Sequence, residues 1–200
     1  GINCYTMPAF GTSDRTKSNA YLLCEALGLE LKEINITEAV KIHLRDIGHD
    51  GLTPDTAYEN AQARERTQIL FDLANMHNGI VIGTGDLSES MQGFATFNGD
   101  QMSNYSLNAS LTKTEIRYVV GAIAETTENL KLKAVLNDIL DTPISPELIS
   151  EDKKEISQKT EDIIGPYELI DFFIYEHLTY HLPAEEILED AISAFDDKYD

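Results

Sequence analysis

The sequence predicts an α/β domain built on a parallel sheet. Through the first half of the chain, short apolar segments alternate with longer amphipathic ones, the order of strand and helix that builds such a sheet. The run Ile80-Val81-Ile82, closed by Gly83, is apolar throughout and β-branched, as a strand buried on both faces is. After Thr112 the pattern turns helical and stays so, which places a helical part at the carboxy-terminal end.

Taken in order, residues 3–7 read as a strand that ends in the loop Pro8-Ala9-Phe10-Gly11-Thr12-Ser13. A helix follows over 14–27, with Asp14 as its cap, Arg15 and Lys17 solvated, and Gly28 as its stop. Residues 33–36 form a second strand, and Thr37 is the N-cap of a helix reaching Gly48. Beyond the loop 51–55, the pattern of residues 57–77 is helical and ends at Asn78-Gly79. The apolar strand 80–82 comes next. Helices are expected over 113–124, 129–140, 166–178 and 183–195, parted by proline-marked turns. The polar stretch 150–162 has no regular apolar face and reads as a mobile surface loop.

With 200 residues, 42% of them hydrophobic and 25% charged, the chain supports one domain with one sizeable core. Its formal charge of −20 repels a phosphate backbone, so no nucleic acid is expected as partner. An anionic small substrate must then be met by a local cluster of bases or by a bound cation. No apolar run approaches the roughly 20 residues of a membrane helix, and the opening residues have no signal-peptide pattern. No membrane is expected, and the reading is cytoplasmic.

Cys4 and Cys24 lack Cys-x-x-Cys spacing, and Cys24 lies in a helical run where a small packed side chain is the usual role. His177 and His181 are spaced i, i+4, but Leu178 stands where a zinc protease carries glutamate, so packing or surface histidines are expected.

In α/β sheets ligands bind beyond the carboxyl ends of the strands, which directs attention to the loops after Met7 and Ile82. The segment Gly83-Thr84-Gly85-Asp86-Leu87-Ser88-Glu89 has two readings. Glycines that let amides approach a phosphate, the Thr84 hydroxyl and the hard oxygen donor Glu89 suit a magnesium nucleotide. An ordinary strand-to-helix turn capped by Asp86 fits the same residues.

Around this segment stand Glu59-Asn60-Ala61-Gln62-Ala63-Arg64-Glu65-Arg66-Thr67 and Gly93-Phe94-Ala95-Thr96-Phe97-Asn98-Gly99-Asp100-Gln101-Met102. Further on come the motif 111–117 around Lys113, the string 141–148 beginning Asp141-Thr142-Pro143, and Ile164-Gly165-Pro166-Tyr167-Glu168. In this order they resemble the synthetase domain of the NAD synthetase family, and the opening Thr6-Met7-Pro8-Ala9-Phe10-Gly11-Thr12-Ser13-Asp14-Arg15 resembles its bacterial glutamine-dependent branch. The resemblance implies a doubly wound, Rossmann-like parallel sheet of the adenine nucleotide alpha hydrolase type, missing its first strand, with residues 1–200 as one partial domain.

The implied reaction adenylates deamido-NAD with ATP and Mg²⁺, and ammonia from a glutaminase domain then forms NAD. The resemblance assigns Thr84 to ATP, Met7 to the adenine, Lys113 to the phosphates, and Glu89 to Mg²⁺ and its meeting point with deamido-NAD. It assigns Asn60, Arg64, Phe94, Ala95, Thr96, Phe97 and Asp100 to deamido-NAD, and it implies a homo-oligomer. Residue by residue, plainer roles compete: Asn60 and Arg64 as a solvated helix face, Phe94 and Phe97 as core, and Lys113 as an exposed first-turn lysine.

The family's Ser-Gly-Gly-x-Asp-Ser pyrophosphate loop does not occur in these residues, nor does a glutaminase domain or a basic carboxy-terminal segment. The expectation is a piece of a larger enzyme that is inactive alone. Competing functions are a non-catalytic nucleotide-binding module, or another amidating ligase such as a GMP or asparagine synthetase.

Overall fold

A computed structural model describes residues 1–144 and 160–199. Its first half alternates β1 (Cys4–Thr6), α1 (Asp14–Ala26), β2 (Leu31–Glu33), α2 (Thr37–Asp46), α3 (Thr56–Met76), β3 (Ile82–Gly83), α4 (Leu87–Gln92) and β4 (Tyr105–Ser106). The second half is helical: α5 (Lys113–Thr126), α6 (Leu130–Leu140), α7 (Glu161–Ile164), α8 (Tyr167–Tyr175) and α9 (Ala184–Phe195). A π turn over Glu176–Tyr180 extends α8, closed by His181 in the left-handed region at φ 57°. His177 Nδ1 lies 3.4 Å from the Leu182 carbonyl oxygen.

The strands pair in parallel, as the alternation predicts, but in two separate pairs. β1 lies beside β2 with Tyr5 opposite Lys32, and β3 lies beside β4 with Ile82 opposite Tyr105. Among the described residues no strand joins the pairs into one sheet. The expected burial of the 80–82 run holds only for Val81, since Ile80 is 64% and Ile82 52% exposed. With β4 as its one neighbour among the described strands, β3 leaves Ile80 and Ile82 more than half exposed.

The core forms where β1 ends: Met7 is buried with Ile36, Val40, Leu44, Tyr58 and Ala61, and the Phe10 ring stacks on Tyr58 at 5.0 Å. β1 is thus wedged against α2 and α3 by apolar contact, and Arg66 Nε of α3 donates to the Met7 carbonyl at 3.0 Å. On the other side α1 is clamped to α6. Arg15 reaches Asp138 Oδ1 at 2.6 Å, and Asn19 Nδ2 donates to Asp138 Oδ2 at 2.7 Å.

Local signals fall close to the expected positions, with instructive shifts. Ser13, not Asp14, caps α1, its hydroxyl accepting from Thr16 N. Arg15 and Lys17 are held by Asp138 and Glu33 instead of being free in solvent. Thr37 is already helical, the N-cap position falls to Ile36 with no side-chain cap, and Thr37 N donates to Asn35 Oδ1 at 2.9 Å in a turn just before the helix. Cys24 is buried and Cys4 half-buried, both as free thiols. Most of the expected loop 150–162 lies outside the described residues, as does the end of the 141–148 motif; Thr160 is buried, and Glu161 and Asp162 begin α7. No helix among the described residues is long and apolar enough to cross a membrane.

Candidate functional site

The carboxyl ends of β1 and β3 open on one cavity of about 770 Å³. Met7 after β1, Thr84 after β3, Glu89 of α4 and Lys113 of α5 all border it, and Arg66 and Arg117 add positive charge to its wall. Four residues that the family resemblance assigns to ATP or Mg²⁺ therefore meet at a single opening. Thr84 is exposed to it, whereas Met7 is also part of the core.

Lys113 is the electrostatic centre. Its Nζ lies 2.6 Å from Asp86 Oδ2 and 2.9 Å from Glu89 Oε1, with 16% of the side chain exposed, which rules out a free first-turn lysine. The Tyr167 ring stands 5.1 Å from the ammonium, a cation–π distance. Burial works against the charged form, but the hydrogen bonds the ammonium donates to Asp86 and Glu89 prevail and hold the Lys113 pKa above its ordinary value. Burial pushes the Tyr167 hydroxyl up to about 12.

Asp86 has the capping role that the plain reading of its segment expects, and a second contact besides. One oxygen caps α4 by accepting from Glu89 N at 2.9 Å, and the other faces Lys113. Glu89 completes a capping box through Asp86 N and turns its remaining oxygen to the same ammonium. The two carboxylate oxygens converge on the Lys113 ammonium, so that point already holds a cation, and Glu89, the more exposed of the pair at the cavity wall, is the hard oxygen donor left to meet a metal ion.

The amino-terminus of α5 is closed to an anion by the protein's own groups. Its first amide, Lys113 N, donates to Ser88 Oγ at 2.8 Å, the second, Thr114 N, to Asp171 Oδ2 at 2.8 Å, and the third, Glu115 N, to Thr112 Oγ1 at 3.2 Å. A phosphate in this cavity would meet the lysine side chain and not the helix end.

A second constellation ties α3 to the loop after α4. Thr96 Oγ1 donates to Asn60 Oδ1 at 2.8 Å, Arg64 Nε to the Phe97 carbonyl at 3.1 Å, and Thr96 N to Asp100 Oδ1 at 2.8 Å. Asn60 and Arg64 are therefore bound to the loop and not merely solvated. Phe94 and Ala95 are half-buried, while Phe97 is 71% exposed and no part of a core. None of these residues borders the cavity of Lys113, so the assigned positions fall into two groups.

The glycines have different causes. A side chain on Gly83 would sit 2.4 Å from Ser103 Oγ, so that glycine serves strand packing and not a ligand. Gly85 would meet nothing nearer than Glu89 Oε2 at 3.9 Å, so the space at its α-carbon is open and no close packing calls for a glycine there. Sequence reading missed Tyr167, Asp171 and the second oxygen of Asp86; the Pro166-Tyr167-Glu168 string was the one local signal near them.

Parallel strands that end at a cleft walled by a lysine between two carboxylates define an α/β protein with a cleft at its strand ends. The chain belongs to the NAD synthase family, whose profile matches residues 2–196. It is 45% identical over 185 residues to the glutamine-dependent NAD(+) synthetase of Mycobacterium leprae, covering 90% of this chain and 27% of that protein. It superposes on the NMN synthetase of Francisella tularensis with a TM-score of 0.68 at 25% identity, over 94% of this chain and 70% of the other. The fold also matches a glutamine-dependent NAD(+) synthetase from Cytophaga hutchinsonii, TM-score 0.71 at 20% identity, over 96% of this chain and 30% of that one. The chain spans less than a third of the length of the curated mycobacterial relatives it matches.

Proposed function

We propose that this chain carries the ATP-dependent amidation site of a glutamine-dependent NAD synthetase, the site that converts deamido-NAD to NAD. The observation that carries the reading is the convergence of Met7, Thr84, Glu89 and Lys113 on one cavity at the strand ends. In the first half-reaction the carboxylate of deamido-NAD attacks the α-phosphorus of ATP, giving the acyl-adenylate and pyrophosphate. In the second, ammonia attacks the acyl carbon, AMP leaves and the amide remains.

The Lys113 ammonium opposes the negative charge that builds on the departing pyrophosphate, as a compact point charge does. The Thr84 hydroxyl donates to a phosphate oxygen, and Met7 packs against the adenine. Glu89 would hold Mg²⁺, which when bound supplies charge neutralisation on the phosphates. Asn60 and Arg64 stiffen the loop from Phe94 to Asp100, whose exposed Phe97 ring and Asp100 carboxyl receive deamido-NAD. Positioning and exclusion of water serve the second step, since water would hydrolyse the adenylate.

The finer architecture belongs to the same proposal: a doubly wound sheet in which a further strand, carrying the pyrophosphate loop, joins the β1–β2 and β3–β4 pairs. So do ammonia delivered by a glutaminase domain, a homo-oligomer, and a cytoplasmic setting. Nucleotide binding without turnover is the reading favoured for these 200 residues themselves, because no Ser-Gly-Gly-x-Asp-Ser string occurs in them.

Calorimetric titration of MgATP into the chain tests the site. Lys113→Met is expected to weaken binding by about tenfold or more, the size of one lost charge-assisted hydrogen-bonding group. Unchanged affinity would remove Lys113 from the site. With deamido-NAD, ATP, Mg²⁺ and ammonium the chain is expected to form no NAD at a useful rate, and turnover at the level of a full-length synthetase would refute that part.

A further inference from the structure

Asp171 of α8 is 4% exposed, Ser88 of α4 is fully buried, and neither borders the cavity. Burying a carboxyl is costly unless its oxygens are occupied, and here both are. Ser88 Oγ donates to Asp171 Oδ1 at 2.5 Å, and Thr114 N donates to Asp171 Oδ2 at 2.8 Å. The same Ser88 oxygen accepts from Lys113 N at 2.8 Å. One helical turn before Asp171, on the same face of α8, buried Tyr167 presents its ring to the Lys113 ammonium. α8 therefore grips Lys113 at both ends, the backbone through Asp171 and Ser88 and the charged tip through Tyr167.

An apolar pair at these two positions would leave Lys113 N and Thr114 N without acceptors, so the polar link serves the seating of α5 and not packing alone. Resting on the reading of Lys113 as the phosphate-facing lysine, we propose that Asp171 is a positioning residue of this site. Through Ser88 and Thr114 it fixes the start of α5 against α4, and so sets where the Lys113 ammonium stands relative to Asp86 and Glu89. Asp171 touches no ligand and acts through Lys113 alone.

A double-mutant cycle read by MgATP titration tests this, with circular dichroism to confirm folding. Asp171→Asn keeps an acceptor for Thr114 N but leaves the Ser88 hydroxyl hydrogen without its carboxyl oxygen. Affinity is expected to fall by about tenfold in the parent chain and not to fall further in a Lys113→Met background. Parental affinity in Asp171→Asn, or the same loss in both backgrounds, would overturn the positioning role, the latter being what a general structural defect gives. If the parent chain takes up no MgATP, or Lys113→Met binds as the parent does, the reading of the site falls first and this role falls with it. Should Asp171→Asn fail to fold, Ser88→Ala enters the same cycle, because it severs the link to Lys113 N while leaving α8 intact; the same two patterns decide.

Discussion

Gly83 is a glycine because Ser103 stands where its side chain would be. Gly83→Ala forces a methyl group to within 2.4 Å of Ser103 Oγ and is expected to destabilise the fold by about 1–3 kcal/mol, measured by urea unfolding. Gly85→Ala meets only Glu89 Oε2 at 3.9 Å and should leave stability within about 0.5 kcal/mol of the parent. A matching loss at Gly85 would contradict the open space described there. Asp86 teaches the same lesson of separable causes. A helix cap and an ionic partner of Lys113 are served by different oxygens of one carboxylate, so a local capping signal and a role in the site do not exclude each other.

At the scale of elements, α5 depends on its cap because Lys113 is its first residue. Thr112→Ala removes the hydroxyl that accepts from Glu115 N and is expected to cost about 1 kcal/mol, with Thr112→Ser restoring most of it. Equal stability of all three proteins in denaturant would mean that Ser88 and Asp171 alone suffice to seat the helix. Caps of this kind made most helices legible in the sequence: α3 runs over Thr56–Met76 against an expected 57–77 because Asp55 and Asn78 mark its ends within a few residues. β4 was not legible. Two residues long, with Tyr105 57% exposed, it has no alternation to read and exists because Gly83 and Ser103 allow the chain to lie against β3. The site divides in the same way. The residues around Thr84 and Lys113 stand in motifs, while Tyr167 and Asp171 reach Lys113 from α8, and no local pattern encodes a contact across that separation.

For the molecule as a whole, the buried cluster around Lys113 sets an alkaline limit. Lys113 holds its proton more tightly in the folded chain than the ordinary 10.5, and Tyr167 holds its own up to about 12 against 10.0. Groups raised on folding contribute stability that is complete below their unfolded values and lost as pH rises through the folded ones. The melting temperature should therefore fall between about pH 10 and 12, and Tyr167→Phe should flatten that fall. A parent melting curve that is level across this range would argue against the buried tyrosine. The charge of −20 acts in the background, because mutual repulsion is relieved by salt, so these comparisons belong at one ionic strength.

The two strand pairs also bear on how the chain reaches this arrangement. β1 and β2 pair across the crossover that holds α1, and β3 and β4 across the one that holds α4, so each pairing stays local in the chain. The clamp of Arg15 on Asp138 instead brings together positions 123 residues apart. Docking α1 against α6 thus carries the largest loop-closure cost of the three, and folding speed should follow that helix contact more closely than the forming of either strand pair.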